Sequence, residues 1–175
     1  MPSKFDNYDK ETASVKVVRF LKYFGIALGG GLVGALPYVV LQCALSVSSV
    51  FTMIFCGGGA MAFLAAFGRS RLSKVSDHII VVLSTLLASF IANFACILIH
   101  FAPQFDIEGR KMNVFQKAFF LLFHSKPDEI TGQGLVTDGG SFSIYTILIA
   151  SAVFAILGAY VVFLIIFRWV RKHNQ

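Results

Sequence analysis

Charge is scarce in this chain and unevenly placed. Only 14% of its 175 residues are Asp, Glu, Lys or Arg, against roughly 25% in an average soluble domain, and none of them falls between Tyr23 and Gly68. That run is long enough for two membrane crossings of about 20 residues each, which excludes a soluble globular domain. The apolar runs are continuous and do not alternate, so they do not fit a transmembrane β-barrel, whose strands are alternating segments of about 10 residues. No Asp, Glu, Lys or Arg lies inside any of the long apolar segments. Carboxylate proton relays, proton-coupled antiport and arginine voltage sensing therefore have no intramembrane residues to run on.

Cysteine is sparse too. Cys43, Cys56 and Cys96 all fall in apolar runs and form no CxxC pair, so neither a disulfide framework nor a zinc site is expected. The chain has no HExxH, GxSxG or P-loop pattern, and "GGGLVG" at residues 29–34 has no Lys-Ser/Thr after it. Nucleotide binding is excluded on that ground. Serine and histidine co-occur without an acid nearby on the same side, which defeats a catalytic triad. The expectation is a non-enzymatic protein without cofactor or metal. A cleavable signal peptide would carry an apolar core of about 7 to 15 residues and then a small-residue cleavage site. Here the apolar run starts at Tyr23 and does not stop, so the first helix is expected to be retained.

What is present is hydrophobicity: 57% of residues are hydrophobic and the mean hydropathy is +0.76. The first run divides into helices at about 23–44 and 49–68, joined by a tight turn near Ser46 to Ser49. Ile79 to Pro103 and Ser141 to Phe167 supply two more, at about 79–102 and 142–167. The expected fold class is all-α: a polytopic membrane protein whose single four-helix domain spans 23–175, after a cytoplasmic segment 1–22. Eleven bases flank the termini and the short loop after the second helix, whereas the loop 103–141 holds four bases against five acids. The positive-inside rule then sets both termini in the cytoplasm and the long loop outside, in the plasma membrane of a bacterium. Topology and anionic lipid account for the net charge of +6, so no nucleic-acid partner is implied.

Two amphipathic pieces flank the spans. "ASVKVVRFLKYF" aligns Lys16, Arg19 and Tyr23 on one edge, which suits a short basic helix in the headgroups or a first helix that starts early with snorkelling bases. "KMNVFQKAFFLLFH" sets Asn113, Gln116, Lys117 and His124 near one face. It is too short to span, so a helix at about 112–124 is expected to lie along the outer interface or cap the bundle. Residues 125–141 read as a solvated connector, and are the part of the chain most free to contact something outside.

Glycine and small polar residues carry the functional signals. Gly25-xxx-Gly29, Gly30-xxx-Gly34 and Gly31-xxx-Ala35 are ridges that let helices approach closely, and Ser151, Ala155 and Gly158 form a small face on the last helix. A turn centred near residue 47 or 48 sets Gly29 and Gly30 level with Ala65 and Ala66, and Gly57, Gly58 and Gly59 level with Pro37 and Tyr38. Three glycines in succession each weaken a helix by about 1 kcal/mol relative to alanine, and Pro37 leaves the carbonyl of Val33 without its donor. A midplane break is expected there, either as ordinary membrane-helix chemistry or as a ligand site. On the third helix Thr85, Ser89, Asn93, Cys96 and His100 fall within a narrow sector at about 100° per residue. That polar stripe either hydrogen-bonds to faces such as Ser151, Ala155 and Gly158 or lines a water-filled path, with His100 as a group able to titrate near neutral pH.

With "GGGLVGALPYVV", a short turn, "IFCGGGAMAFLAAFGRSRLSK" and the later "VFQKAFFLLF", the chain resembles a loose group of small four-helix membrane proteins from Gram-positive bacteria. Their first helix reads approximately G-A-x-x-G-A-x-P-W/Y, and their second ends in a basic cytoplasmic loop. Where that group tends towards a Lys-Gly-Tyr ending, this chain has Ala65-Ala66-Phe67-Gly68-Arg69. The resemblance implies topology and no activity. The leading expectation is a protein that works by helix association, as a homo-oligomer or an accessory subunit of a membrane complex, with lipid and another membrane protein as partners. The alternatives are a channel or transporter subunit passing an ion or neutral solute along the stripe, and a sensor or immunity protein that binds a peptide or lipid.

Overall fold

The computed structural model describes residues 13–44, 50–68, 75–103, 112–123 and 144–173. Among them are five α-helices and no strand: α1 (Ala13–Ala44), α2 (Ile54–Phe67), α3 (Val75–Cys96), α4 (Val114–Phe123) and α5 (Ile144–His173). A 3₁₀ turn, Val50–Met53, leads into α2, and a π-helical turn, Ile97–Phe101, extends α3. Four stretches are long and apolar enough to cross a membrane: Val17–Ala44, Val50–Phe67, Asp77–Ile99 and Thr146–Trp169, with mean hydropathies of 1.9 to 2.7. Over the described residues the chain is therefore all-helical, with four candidate membrane spans.

The helix ends reach beyond the apolar runs. No glycine or proline stands between Ala13 and Phe24, and Lys and Arg are good helix formers, so α1 propagates back from its apolar part through the basic residues. Segment 13–22 is thus the opening of α1 and not a separate helix. At the other end of the chain α5 continues past Phe167 to His173 for the same reason. Asp77, in the first turn of α3, meets the positive end of that helix's dipole.

The bundle is a square. α1 packs on α2 and α3, α5 packs on the same two helices from the other side, and α2 also touches α3. α1 and α5 thus occupy opposite corners. The interior is built from small side chains, among them Ala35, Ala88, Ala92 and Ala155 at one level and Ala27, Ala60 and Ala159 at another. Small residues let backbones close up, which is what drives helix association where lipid removes the hydrophobic term. The outward faces carry large apolar groups, such as Val33, Leu36, Ile149, Ile156 and Ile165. In water so large an apolar surface would be a liability; against lipid tails it is the solvent-facing side.

α4 sits on the end of the bundle where α3 finishes. Its Ala118, Leu121 and Leu122 are buried with Ile97 and Ala102, against Phe94, Leu98 and Leu148, while Phe115 and Phe119 stay exposed. A reciprocal cap starts the helix. The Gln116 N–H donates to Asn113 Oδ1 (2.9 Å), and the Asn113 N–H donates to Gln116 Oε1 (3.0 Å). Two otherwise orphaned backbone donors are satisfied by the Asn-x-x-Gln spacing, which allows a helix of only 10 residues to hold its start.

Candidate functional site

The polar stripe of α3 is turned into the bundle. Thr85, Ser89, Asn93 and Cys96 are all buried, as their common helical face requires once that face meets α1, α2 and α5. Asn93 is the junction. Its Oδ1 accepts from the Tyr38 hydroxyl of α1 at 2.8 Å, and its Nδ2 donates to the Ser89 carbonyl at 2.8 Å and to Ser151 Oγ of α5 at 2.9 Å. An amide has two N–H donors and one carbonyl, and here each is used. Ser151 Oγ in turn donates within its own helix, to the carbonyls of Ile147 (2.6 Å) and Leu148 (3.1 Å). One uncharged side chain therefore ties three helices together in an apolar interior, where unpaired polar groups are expensive.

The rest of the stripe is quieter. Ser84, beside it, donates to the carbonyls of its own helix at Ile80 and Val81. Thr85 Oγ1 is fully buried with no hydrogen-bond partner, while its backbone carbonyl accepts from the Cys56 thiol at 4.0 Å. Cys96 is buried in the apolar cluster against which the half-buried Cys43 of α1 packs. His100 belongs to the π-helical turn, and its side chain lies outside the described residues. Tyr38 was not legible as a partner in the sequence: a tyrosine directly after Pro37 gives no sign of which neighbour it faces.

The glycines differ most from expectation. α2 runs through Gly57, Gly58 and Gly59 as unbroken α-helix, and α1 runs through Pro37 likewise, so there is no midplane break. What the triplet does instead follows from its position between α1 and α5. Successive residues turn by about 100°, so Gly57 and Gly59 point to opposite sides. A Cβ at Gly57 would run into the backbone of Ala155 and Ala159 on α5, and one at Gly59 would run into Gly30 on α1. Gly158 on α5 would collide with the Ile54 carbonyl in the same way, and Gly34 on α1 with that of Phe55.

The expected register is corrected accordingly. Gly30 stands against Gly59 and Phe63, not level with Ala65 and Ala66, so the two glycine triplets meet each other. The 3₁₀ turn before α2 advances about 2.0 Å per residue where α-helix advances about 1.5 Å, which shifts α2 in the observed direction. Close contact of glycine with glycine then locks the position. Gly25 and Gly29 are the exceptions on α1, since a Cβ at either would meet nothing within 4 Å. They lie off the face that carries Gly30 and Gly34, and so take no part in the hairpin contact expected of them. Residues 1–12, the turn at 45–49, the basic loop at 69–74, His124 and the connector 125–141 lie outside the described residues.

Compared with protein-family models, curated proteins and solved structures, the chain matches none.

Proposed function

We propose that this chain is a non-enzymatic integral membrane protein of the bacterial plasma membrane that works through helix association, as a homo-oligomer or as an accessory subunit of a membrane complex. The observation that carries the reading is the pair Gly25 and Gly29. They form a small-xxx-small ridge on the membrane-spanning part of α1, yet among the described residues none lies within 4 Å of a Cβ added at either, whereas Gly30 and Gly34 beside them are used up by α2. Such a ridge favours the close approach of another helix in lipid. The inward position of the stripe supports the same reading, because Asn93 spends all its hydrogen bonds on its own bundle. Orientation belongs to the proposal too: by the charge bias both termini are cytoplasmic, and α4 then lies at the outer interface with Phe115 and Phe119 exposed there. So does membership of the Gram-positive group that the glycine pattern resembles.

A second reading, a permeation path along the stripe, has one observation in its favour: the buried Thr85 hydroxyl without a partner. Energy transfer between donor- and acceptor-labelled copies in liposomes tests the first reading. Transfer is expected to fall with lipid dilution as an equilibrium, and to drop to the level of random proximity in Gly25→Leu/Gly29→Leu, whose bulk points into open space and leaves the fold intact. Transfer unchanged in that variant would remove the ridge from the account, and none in the wild type would remove the homo-oligomer.

A further inference from the structure

We propose that the edge shared by α3 and α4 is a lipid-binding surface, along which acyl chains of the leaflet at that end of the bundle pack and hold α4 half-immersed. The edge is a ladder of aromatic rings. Phe90, exposed on α3, stacks on Phe94 with centroids 6.4 Å apart, and Phe94 meets Phe119 of α4 at 5.4 Å, both within the range of attractive ring pairs. Phe115, one turn before Phe119, carries the exposed apolar surface on along α4. At about 100° per residue these two rings flank the face that buries Ala118 and Leu122 against the end of α3, while Asn113 and Lys117 stand on the opposite side. One flank of α4 thus continues the apolar surface of a candidate span, and the other is polar.

Depth and side-chain size select the occupant. Phe94 stands more than one turn inside Ile99, where the span Asp77–Ile99 ends, or about 7 Å at about 1.5 Å per residue. Phe119 is held against it, which sets the apolar flank of α4 at the depth of about 5–10 Å that amphipathic helices reach inside the headgroup boundary. Composition disfavours a protein partner. Helices approach one another in lipid over small residues, as α2 and α5 do at Gly57 and Gly158, whereas Leu86, Leu87, Phe90 and Ile91 on this side of α3 are all large and exposed. Disordered acyl chains need no fixed complementary shape and fill the spaces between such groups. The inference rests on the membrane placement proposed above and not on self-association.

The test uses the full chain in liposomes at high lipid dilution, in a Trp169→Phe background, since Trp169 is the chain's one tryptophan. Phe115→Trp and Phe119→Trp each keep an aromatic ring and report on the edge, and Leu157→Trp, at an exposed position midway along α5, reports on membrane insertion itself. In phosphatidylcholine brominated near the head of its acyl chains, emission from positions 115 and 119 should fall about twofold or more, as for rings about 5–10 Å inside the boundary. It should fall less with bromines near the chain ends or with aqueous iodide, whereas Leu157→Trp should be quenched most by the deep bromines. Iodide quenching at 115 and 119 without lipid quenching would place α4 in water and overturn the proposal. Protection from both quenchers would overturn it in favour of a second chain on the edge. If Leu157→Trp ignored both brominated lipids, the membrane placement would fall and the proposal with it; failure at 115 and 119 alone leaves that placement standing.

Discussion

Replacing Gly57 by alanine should destabilise the protein by about 2 kcal/mol or more, although alanine is the better helix former by about 1 kcal/mol. The added methyl has nowhere to go: it meets the carbonyl of Ala155 and the backbone of Ala159, and no side-chain rotation relieves a clash with backbone. Overpacking of this kind costs about 1–3 kcal/mol where neighbours can shift, and here α2 and α5 must move apart along a shared line, since Gly158 makes the reciprocal approach to Ile54. Gly158→Ala should therefore resemble Gly57→Ala, and the double variant should cost less than the two single changes together, because the first separation makes room for the second. Gly25→Ala is the control of opposite sign. In the single chain its methyl enters open space, so in micelles dilute enough to keep the chains apart helix propensity alone acts and stability should rise by up to about 1 kcal/mol. Reversible unfolding in mixed micelles measures all four, and a stabilised Gly57→Ala would show that α2 and α5 do not touch there.

Asn93→Leu should cost about 1–2 kcal/mol by the same measurement. Leucine has similar bulk and suits an apolar interior, so the loss comes from what it abandons. The Tyr38 hydroxyl loses its acceptor, whereas Ser151 keeps the carbonyls of its own helix. An orphaned buried hydroxyl costs about 1–3 kcal/mol in a soluble core, but interhelical hydrogen bonds in membranes average only about 0.6 kcal/mol with a maximum near 1.7, which sets the lower figure. Tyr38→Phe removes the donor instead, and the pair Tyr38→Phe/Asn93→Leu should recover about 1 kcal/mol relative to additivity. Strict additivity would mean that the two side chains do not share a bond.

Much of this fold is legible in the sequence, because lipid demands long uncharged runs and charge marks where they stop. The four spans follow from that alone. Helix ends are less visible: Lys16, Arg19 and Lys22 are polar, but they are also good helix formers, so hydropathy locates the edge of the bilayer and not the start of α1. Periodicity groups Thr85, Ser89, Asn93 and Cys96 on one face of α3, but it is blind to what stands opposite. Which residue of α1 reaches Asn93 depends on the rotation of α1 about its axis, and so Tyr38 is found only in the structure. Gly57, Gly58 and Gly59 mislead for another reason. Propensity measured on isolated helices reads three glycines as a break, whereas a helix held between two neighbours uses them as the surface that lets both come close.

On the proposed reading the polar stripe of α3 braces the bundle and is not the wall of a path through it. Liposomes loaded with potassium, chloride and a small neutral solute, carrying wild type or Asn93→Leu, test it most directly. If the stripe is a brace, release from wild-type vesicles matches that from protein-free vesicles for every solute, and Asn93→Leu leaves it unchanged while lowering stability. Solute release that is present in the wild type and lost in Asn93→Leu would contradict the claim and make Thr85, Ser89 and Asn93 the lining of a pore.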